Sequence, residues 1–91
     1  MGLKSTTVCL GYQQVTSLSA SASLTIPTGA TMALIVPEGQ NVRWRDDGTA
    51  PTASVGMPLA VGEAFNYDGD LTRIRFIEQV AGAKLNISYY A

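Results

Sequence analysis

Hydrophobic and polar residues alternate with a period of two along much of this chain. From Leu18 to Ile26 the sequence LSASASLTI directs its apolar side chains to one side and its Ser and Thr side chains to the other. This alternation is typical of a strand with one hydrated face, or of two strands separated by a short Ser/Ala turn. Residues 41–45 and 84–90 alternate in the same way. No segment keeps the 3.6-residue period of a helix over three turns, so the pattern predicts an all-β protein.

Further strands are predicted from apolar runs, and Gly, Pro and Asp mark the turns between them. The run Thr31–Val36 is nearly continuous in apolar character, which favours a central strand covered on both faces. Pro51 and Pro58 cannot donate a ladder hydrogen bond, so residues 49–57 are expected to form a loop or an irregular edge. The other predicted strands are 59–61, 64–67 and 71–80. The predicted turns are 27–29, 37–40, 46–48, 68–70 and 81–83.

Many short strands separated by turns indicate a sandwich or a small barrel. We expect one domain over residues 1–91, folded as a small β-sandwich of jelly-roll type, with a small open β-barrel as the alternative. A domain of this size buries only roughly 60% of the surface that its unfolded chain exposes. Contacts between subunits would therefore add useful burial.

The composition is apolar and poor in charge, with 46% hydrophobic and 14% charged residues, where about 25% charged is usual. This balance favours a homo-oligomer that hides part of its surface; a compact monomer with a Ser/Thr-rich surface is the alternative. The net charge of −1 argues against nucleic-acid binding, which needs a basic face. No apolar run approaches the roughly 20 residues of a membrane span.

The single cysteine and the N-terminus bear on where the protein is made. Cys9 lies in the apolar run Val8-Cys9-Leu10, so we expect a small buried hydrophobic residue, and one cysteine excludes an internal disulfide framework. The N-terminus has one lysine but no long apolar core with a cleavage site, so no signal peptide is expected. Synthesis in a cytoplasm follows from this interpretation.

The residues that usually carry catalysis are few. The chain has no His and no phosphate-binding glycine motif, which removes the commonest general base and the usual zinc ligand. Two carboxylates can hydrolyse a glycoside when they flank a cleft about 5–10 Å apart, but adjacent Asp46 and Asp47 would diverge on an extended chain. The acidic pairs at 46–47 and 68–70 are interpreted as turn residues rather than calcium ligands. We therefore expect no enzyme, no catalytic residue, no metal and no cofactor.

Two arginine pairs are more informative. Arg43 and Arg45 lie two residues apart, as do Arg73 and Arg75, so each pair projects from one face of its strand. If the two strands are neighbours, the guanidinium groups form either a patch that clamps an acidic partner or a hydrated face with weak ion pairs. Trp44 points to the other side, where it serves as a core residue or as a platform for a sugar or a partner.

The second half of the chain, from Val42 to Ala91, carries four distinctive motifs. They are the turn RWRDDGTAPT, the step GMPL, the strand GDLTRIRF and the ending LNISYY. This segment resembles small structural proteins encoded beside capsid genes in tailed bacteriophages. The N-terminal half matches only in style, with a Thr/Ser strand followed by PTGAT and an apolar strand.

The resemblance implies a non-enzymatic virion component, assembled in the bacterial host cytoplasm. It points most directly to a capsid decoration (cement) protein whose partners are the major capsid protein and its own copies, in a homo-oligomer such as a trimer. A tail-associated structural protein is an alternative. A carbohydrate-binding module for host adhesion is another, using Trp44 or Tyr67 with Asp46 or Asp68. The candidate contact residues are Arg43, Arg45, Asp46, Asp47, Arg73, Arg75 and Tyr90.

Overall fold

A computed structural model describes residues 7–91 and shows an all-β fold. Its elements are eight strands: β1 (Cys9–Val15), β2 (Ala22–Ser23), β3 (Met32–Glu38), β4 (Val42–Arg45), β5 (Met57–Leu59), β6 (Phe65–Tyr67), β7 (Arg75–Glu78) and β8 (Lys84–Tyr90). The described residues contain no helix, and so none that could cross a membrane. The expectation about a signal peptide concerns residues 1–6 in part, which lie outside the described residues.

The strands form two four-stranded antiparallel sheets. The first sheet has the order β1-β8-β3-β6 and the second has the order β2-β7-β4-β5. The first four strands thus pair with the last four in reverse order, as in a long hairpin ribbon that wraps around itself to make a jelly roll. The two sheets pack face to face and do not close into a barrel. The predicted jelly-roll sandwich is confirmed, and the barrel alternative is wrong.

The predicted alternation places the core between the sheets. On β8, Leu85 and Ile87 are fully buried and Tyr89 is nearly so. From the second sheet, Ile74 and Phe76 face them and are also fully buried. The predicted sides of 74–76 and 84–90 are therefore correct, and each of these side chains contributes about 1.5–3 kcal/mol through burial.

Three predicted strands change their extent. The strand expected over 18–26 shrinks to β2, because the chain bends after buried Leu18 and leaves Ala20 exposed, which breaks the alternation. Residues 71–73 form a turn rather than the start of β7, since the backbone N–H of Arg73 donates to the Asp70 carbonyl at 3.0 Å. The strand expected at 59–61 lies two residues earlier, as β5, where it is an edge strand and tolerates Pro58.

Two single-residue expectations are also corrected. Cys9 is exposed rather than buried, because it lies on β1, opposite Tyr90, on the outer face of the first sheet. Pro37, expected in a turn, is a buried strand residue of β3 opposite Leu85. Strand β3 is central, as predicted, but its outer face is only half-covered rather than fully buried.

Candidate binding surface

The residues from Arg43 to Pro58 build a shallow groove at one edge of the second sheet. The groove is formed by the end of β4, the 46–56 loop and the start of β5. The groove has a volume of about 540 Å³ and is lined by Trp44, Arg45, Asp46, Asp47, Val55, Gly56 and Met57. Val55 and Met57 are more than half exposed, so the groove combines accessible apolar side chains with the charged side chains of Arg45, Asp46 and Asp47.

Arg43 holds the loop in this shape. Its Nε donates to the carbonyl of Ala53 at 3.2 Å, and its NH1 donates to the carbonyl of Gly56 at 2.9 Å. Gly56 has φ of 146°, and a Cβ there would lie 3.1 Å from the Arg43 Cβ and 3.2 Å from the Pro51 Cβ. Arg43, predicted as a contact residue, therefore has its guanidinium engaged by its own chain.

Arg45 and Asp47 form a two-point ion pair across the turn. Arg45 Nε donates to Asp47 Oδ1 at 3.0 Å, and NH2 donates to Oδ2 at 2.5 Å. These hydrogen bonds lower the pKa of Asp47 to about 2 and raise the pKa of Arg45. Both side chains are solvated, so the pair adds little stability; it orients the guanidinium beside the groove.

The Asp46 side chain points away from Arg45 and forms a hydrogen bond that links the two sheets. The Tyr67 hydroxyl, on β6 of the first sheet, donates to Asp46 Oδ2 at 2.6 Å. Burial and the Asp46 carboxylate raise the pKa of Tyr67. Because adjacent Asp46 and Asp47 bind different partners, they do not act as a carboxylate pair on one substrate.

An aromatic cluster lies beneath the groove. The Trp44 ring stacks on Phe65 with centroids 5.0 Å apart and meets Tyr67 edge-on at 6.1 Å. Trp44 is half-buried: it packs against the core, as the core interpretation predicts, and also lines the groove. The indole thus has one side supported by protein and another facing the groove.

The second sheet carries arginines on its outer face. Strands β4 and β7 are neighbours, and Arg45 is directly opposite Arg75 in their register. Arg73 lies just before β7, and its guanidinium covers Gly48, whose φ of 90° and lack of a Cβ leave room for it. We call Arg45, Arg73 and Arg75 the arginine patch; Arg43, the fourth member expected from the sequence, faces the loop instead.

Tyr90 lies on the opposite side of the molecule. It is half-buried on the outer face of the first sheet, where its hydroxyl accepts a hydrogen bond from Ser88 Oγ at 3.2 Å. This face also contains Asn86, whose Oδ1 accepts from Tyr12 at 2.5 Å and from Gln14 at 3.1 Å. The structure therefore does not bring Tyr90 together with the arginine patch.

Sequence reasoning missed two features of these surfaces. Val55 and Met57 were not expected to line a groove, because nothing local shows that a proline-containing loop will fold back on β4. Tyr12 and Asn86 were not expected to share a face, because they lie far apart in sequence; the alternation of residues 84–90, which puts Asn86 on the polar side of its strand, was the one signal available.

Comparison with family models, with curated proteins and with solved structures finds no match to this chain. Within residues 7–91, no three His, Cys, Asp or Glu side chains lie together as possible metal ligands. The chemistry visible at the groove and the arginine patch is hydrogen bonding, ion pairing and apolar contact.

Proposed function

We propose that this protein is a non-enzymatic structural protein of a phage virion, attached to the capsid exterior as a decoration protein. The observation that carries the proposal is the arginine patch, in which Arg45 and Arg75 are direct cross-strand neighbours. Like charges at such positions destabilise a sheet. An acidic partner would compensate this cost, so the patch fits a docking surface better than a passive one.

The nearby acids leave the patch partly uncompensated. Asp47 binds Arg45 and Asp46 accepts from Tyr67. Asp70 accepts from the hydroxyl and backbone of its neighbour Thr72, and these bonds, with a smaller contribution from the nearby charge of Arg73, lower its pKa. Arg73 and Arg75 form no ion pair within residues 7–91. Their guanidinium groups can each engage a carboxylate through two parallel hydrogen bonds, which favours an acidic protein surface as the partner.

The capsid assignment rests on the resemblance of residues 42–91 to phage structural proteins. The matching motif residues include Arg45 and Arg75 of the patch, whereas Arg73 lies at a position that the motif leaves open, so the shared motifs overlap the proposed docking surface in part. Jelly rolls serve in capsid proteins and in lectins alike, so the fold alone does not decide the role. In the proposed role, each copy adds a modest interface and many copies together stabilise the shell. Self-association and contact with the major capsid protein are both part of this proposal.

The test is binding to particles from the virus that encodes the chain. Capsids purified without the protein are mixed with it and sedimented, and bound protein is quantified by mass spectrometry. We expect saturable binding that Arg73→Ala/Arg75→Ala weakens at least about tenfold and that Lys84→Ala, a cation on the first sheet, leaves unchanged. Recovery of the protein with tails, or equal binding by the double variant, would contradict the proposal.

Carbohydrate binding is a second candidate, and the groove is the observation that favours it. A partly exposed Trp44 beside Asp46 and Asp47 offers an apolar ring and hydrogen-bond acceptors to a sugar. Titration with host-surface polysaccharides while monitoring Trp44 emission tests this use. A saturable spectral shift that Asp47→Ala weakens would favour it; emission unmoved by every polysaccharide would exclude it.

A further inference from the structure

The outer strands of the two sheets differ in how they are protected from other chains. Unpaired strand edges invite pairing, and proteins usually shorten them or place Pro or charge on them. Strand β2 has two residues, β5 has three including Pro58, and β6 has three. Strand β1 has seven residues, CLGYQQV, with neither Pro nor charge. Its only irregularity is a bulge between Cys9 and Gly11, which leaves Gly11–Val15 regular.

The register shows which backbone groups of β1 face outward. Val8 and Ala91 exchange both backbone hydrogen bonds, and the Tyr90 carbonyl accepts from Thr31 on the other side of β8. Alternate residues of an antiparallel strand face opposite neighbours, so Tyr89 and Ile87 bond to β1. Their partners there are Gly11 and Gln13. The intervening Tyr12 and Gln14 therefore direct their N–H and C=O groups away from β8, and β1 pairs with no other strand among the described residues.

The side chains at this edge are exposed, neutral and already ordered. Tyr12 and Gln14 both donate to Asn86 Oδ1, so they lie across the sheet rather than over its edge. No charged residue occurs between positions 5 and 37. An identical copy can therefore approach without charge repulsion, whereas a charged partner would find no complementary group on this strand.

We infer that two copies of this chain pair through β1, antiparallel and related by a twofold axis at Gln13. In this register Tyr12 of each copy lies opposite Gln14 of the other, and the outward backbone groups of both residues are satisfied. The two first sheets join into one continuous sheet, whose outer face carries Glu38 and Lys84 next to each other on β3 and β8 and no charge on β1. Such isologous contacts close by symmetry, so the pairing gives a dimer rather than the trimer suggested by the resemblance.

The size of the contact sets its expected strength. A standard stable interface buries about 800 Å² per partner, roughly a sixth of the 5075 Å² surface of this chain. A five-residue edge alone covers less than that. The dimer is therefore expected to be weak, with a dissociation constant of about 10 μM to 1 mM, and to gain from multivalency on a particle.

The test measures the oligomeric state of the purified protein by sedimentation equilibrium up to about 1 mM subunit. We expect a concentration-dependent dimer in the wild type and a monomer for Gln14→Pro. That change removes an outward N–H and leaves the backbone hydrogen bonds to β8 intact, while the side-chain hydrogen bond to Asn86 is lost. A wild type that stays monomeric, or that forms trimers, would overturn the inference.

A pair of charge variants tests the register independently of proline. Tyr12→Lys/Gln14→Lys places like charges opposite each other across the twofold axis and should weaken the dimer about tenfold or more. Tyr12→Glu/Gln14→Lys places opposite charges there and should restore or tighten it. Equal association of the two variants would refute this register. Capsid binding is measured separately, so failure here would remove the self-association part of the proposed function and leave the capsid contact standing, and failure of capsid binding would leave the dimer intact.

Discussion

The hydrogen bond between Tyr67 and Asp46 is the connection between the sheets that a single substitution can remove most cleanly. Tyr67→Phe deletes the hydroxyl while keeping the ring, so the packing against Trp44 and Phe65 is retained. The Tyr67 side chain is only 7% exposed, and its hydroxyl donates to a carboxylate at 2.6 Å. Hydrogen bonds to charged groups contribute about 1.5–3 kcal/mol.

We expect a loss of about 2 kcal/mol, toward the lower half of that range, because Asp46 is half-buried and water can reach it after the change. For a domain of this size the melting temperature should fall by roughly 8–16 °C. Urea unfolding followed by emission of Trp44, the single tryptophan, measures the free energy of unfolding directly.

Tyr12→Phe is a matched control for this prediction. Tyr12 also donates a short hydrogen bond, to Asn86, but its side chain is 65% exposed. Its replacement should change the free energy of unfolding by less than about 0.5 kcal/mol. Equal effects of the two substitutions, or a loss below about 0.5 kcal/mol for Tyr67→Phe, would refute the reasoning that burial gives the Asp46 bond its value.

Three further predictions concern the groove and the titrating groups. Carboxyl NMR should place the Asp47 titration midpoint near 2, and Arg45→Gln should return it upward. Because the folded pKa is depressed, the stabilising effect of this pair is present above pH 4 and is lost as the pH falls toward 2. Gly56→Ala should destabilise the protein by about 1–3 kcal/mol, because its φ is positive and the added Cβ would lie only 3.1–3.2 Å from its neighbours. Gly62→Ala, which has a positive φ but no atom nearby, should lose less in the same urea assay. Burial raises the pKa of Tyr89 to about 12. The contribution of the neutral Tyr89 side chain to stability therefore persists below pH 10 and is lost as the pH rises toward 12. In an absorbance titration, Tyr89→Phe should show one phenol fewer than the wild type among those that ionise late.

The strands that were predicted well are those whose two faces differ most. On β8, Leu85, Ile87 and Tyr89 alternate with polar residues, and a shift by one residue would bury Asn86 and Ser88. Strand β4 follows the same logic with Val42 inward and Arg43 outward. In such segments the burial of one face determines both the secondary structure and the register, so the local sequence is sufficient to predict the strand and the side on which each residue lies.

The predictions that failed concern side chains whose orientation or contacts depend on residues far away in sequence. Cys9 belongs to an apolar run, yet its strand lies at a sheet edge and turns this residue outward beside Tyr90. Arg43 alternates like Arg45, but its role depends on the carbonyls of a loop ten residues away. The sequence did not predict whether β4 and β7 are neighbours, because the pairing of two strands cannot be read from the residues of either strand alone.

The jelly-roll topology places the uncharged strand β1 at an edge of the first sheet and the arginine patch on the second sheet. Residues 5–37 carry no charge, and they supply β1 and most of β3, the two strands that flank β8 in the first sheet. The later part of the chain supplies β4 and β7, and hence the arginine patch, to the second sheet. Because the β1 edge and the arginine patch belong to different sheets, copies can pair through β1 while the patch meets an acidic surface. The proposed dimer and the proposed capsid contact are therefore sterically compatible, and a dimer would present two arginine patches to one surface, which multiplies a weak individual contact.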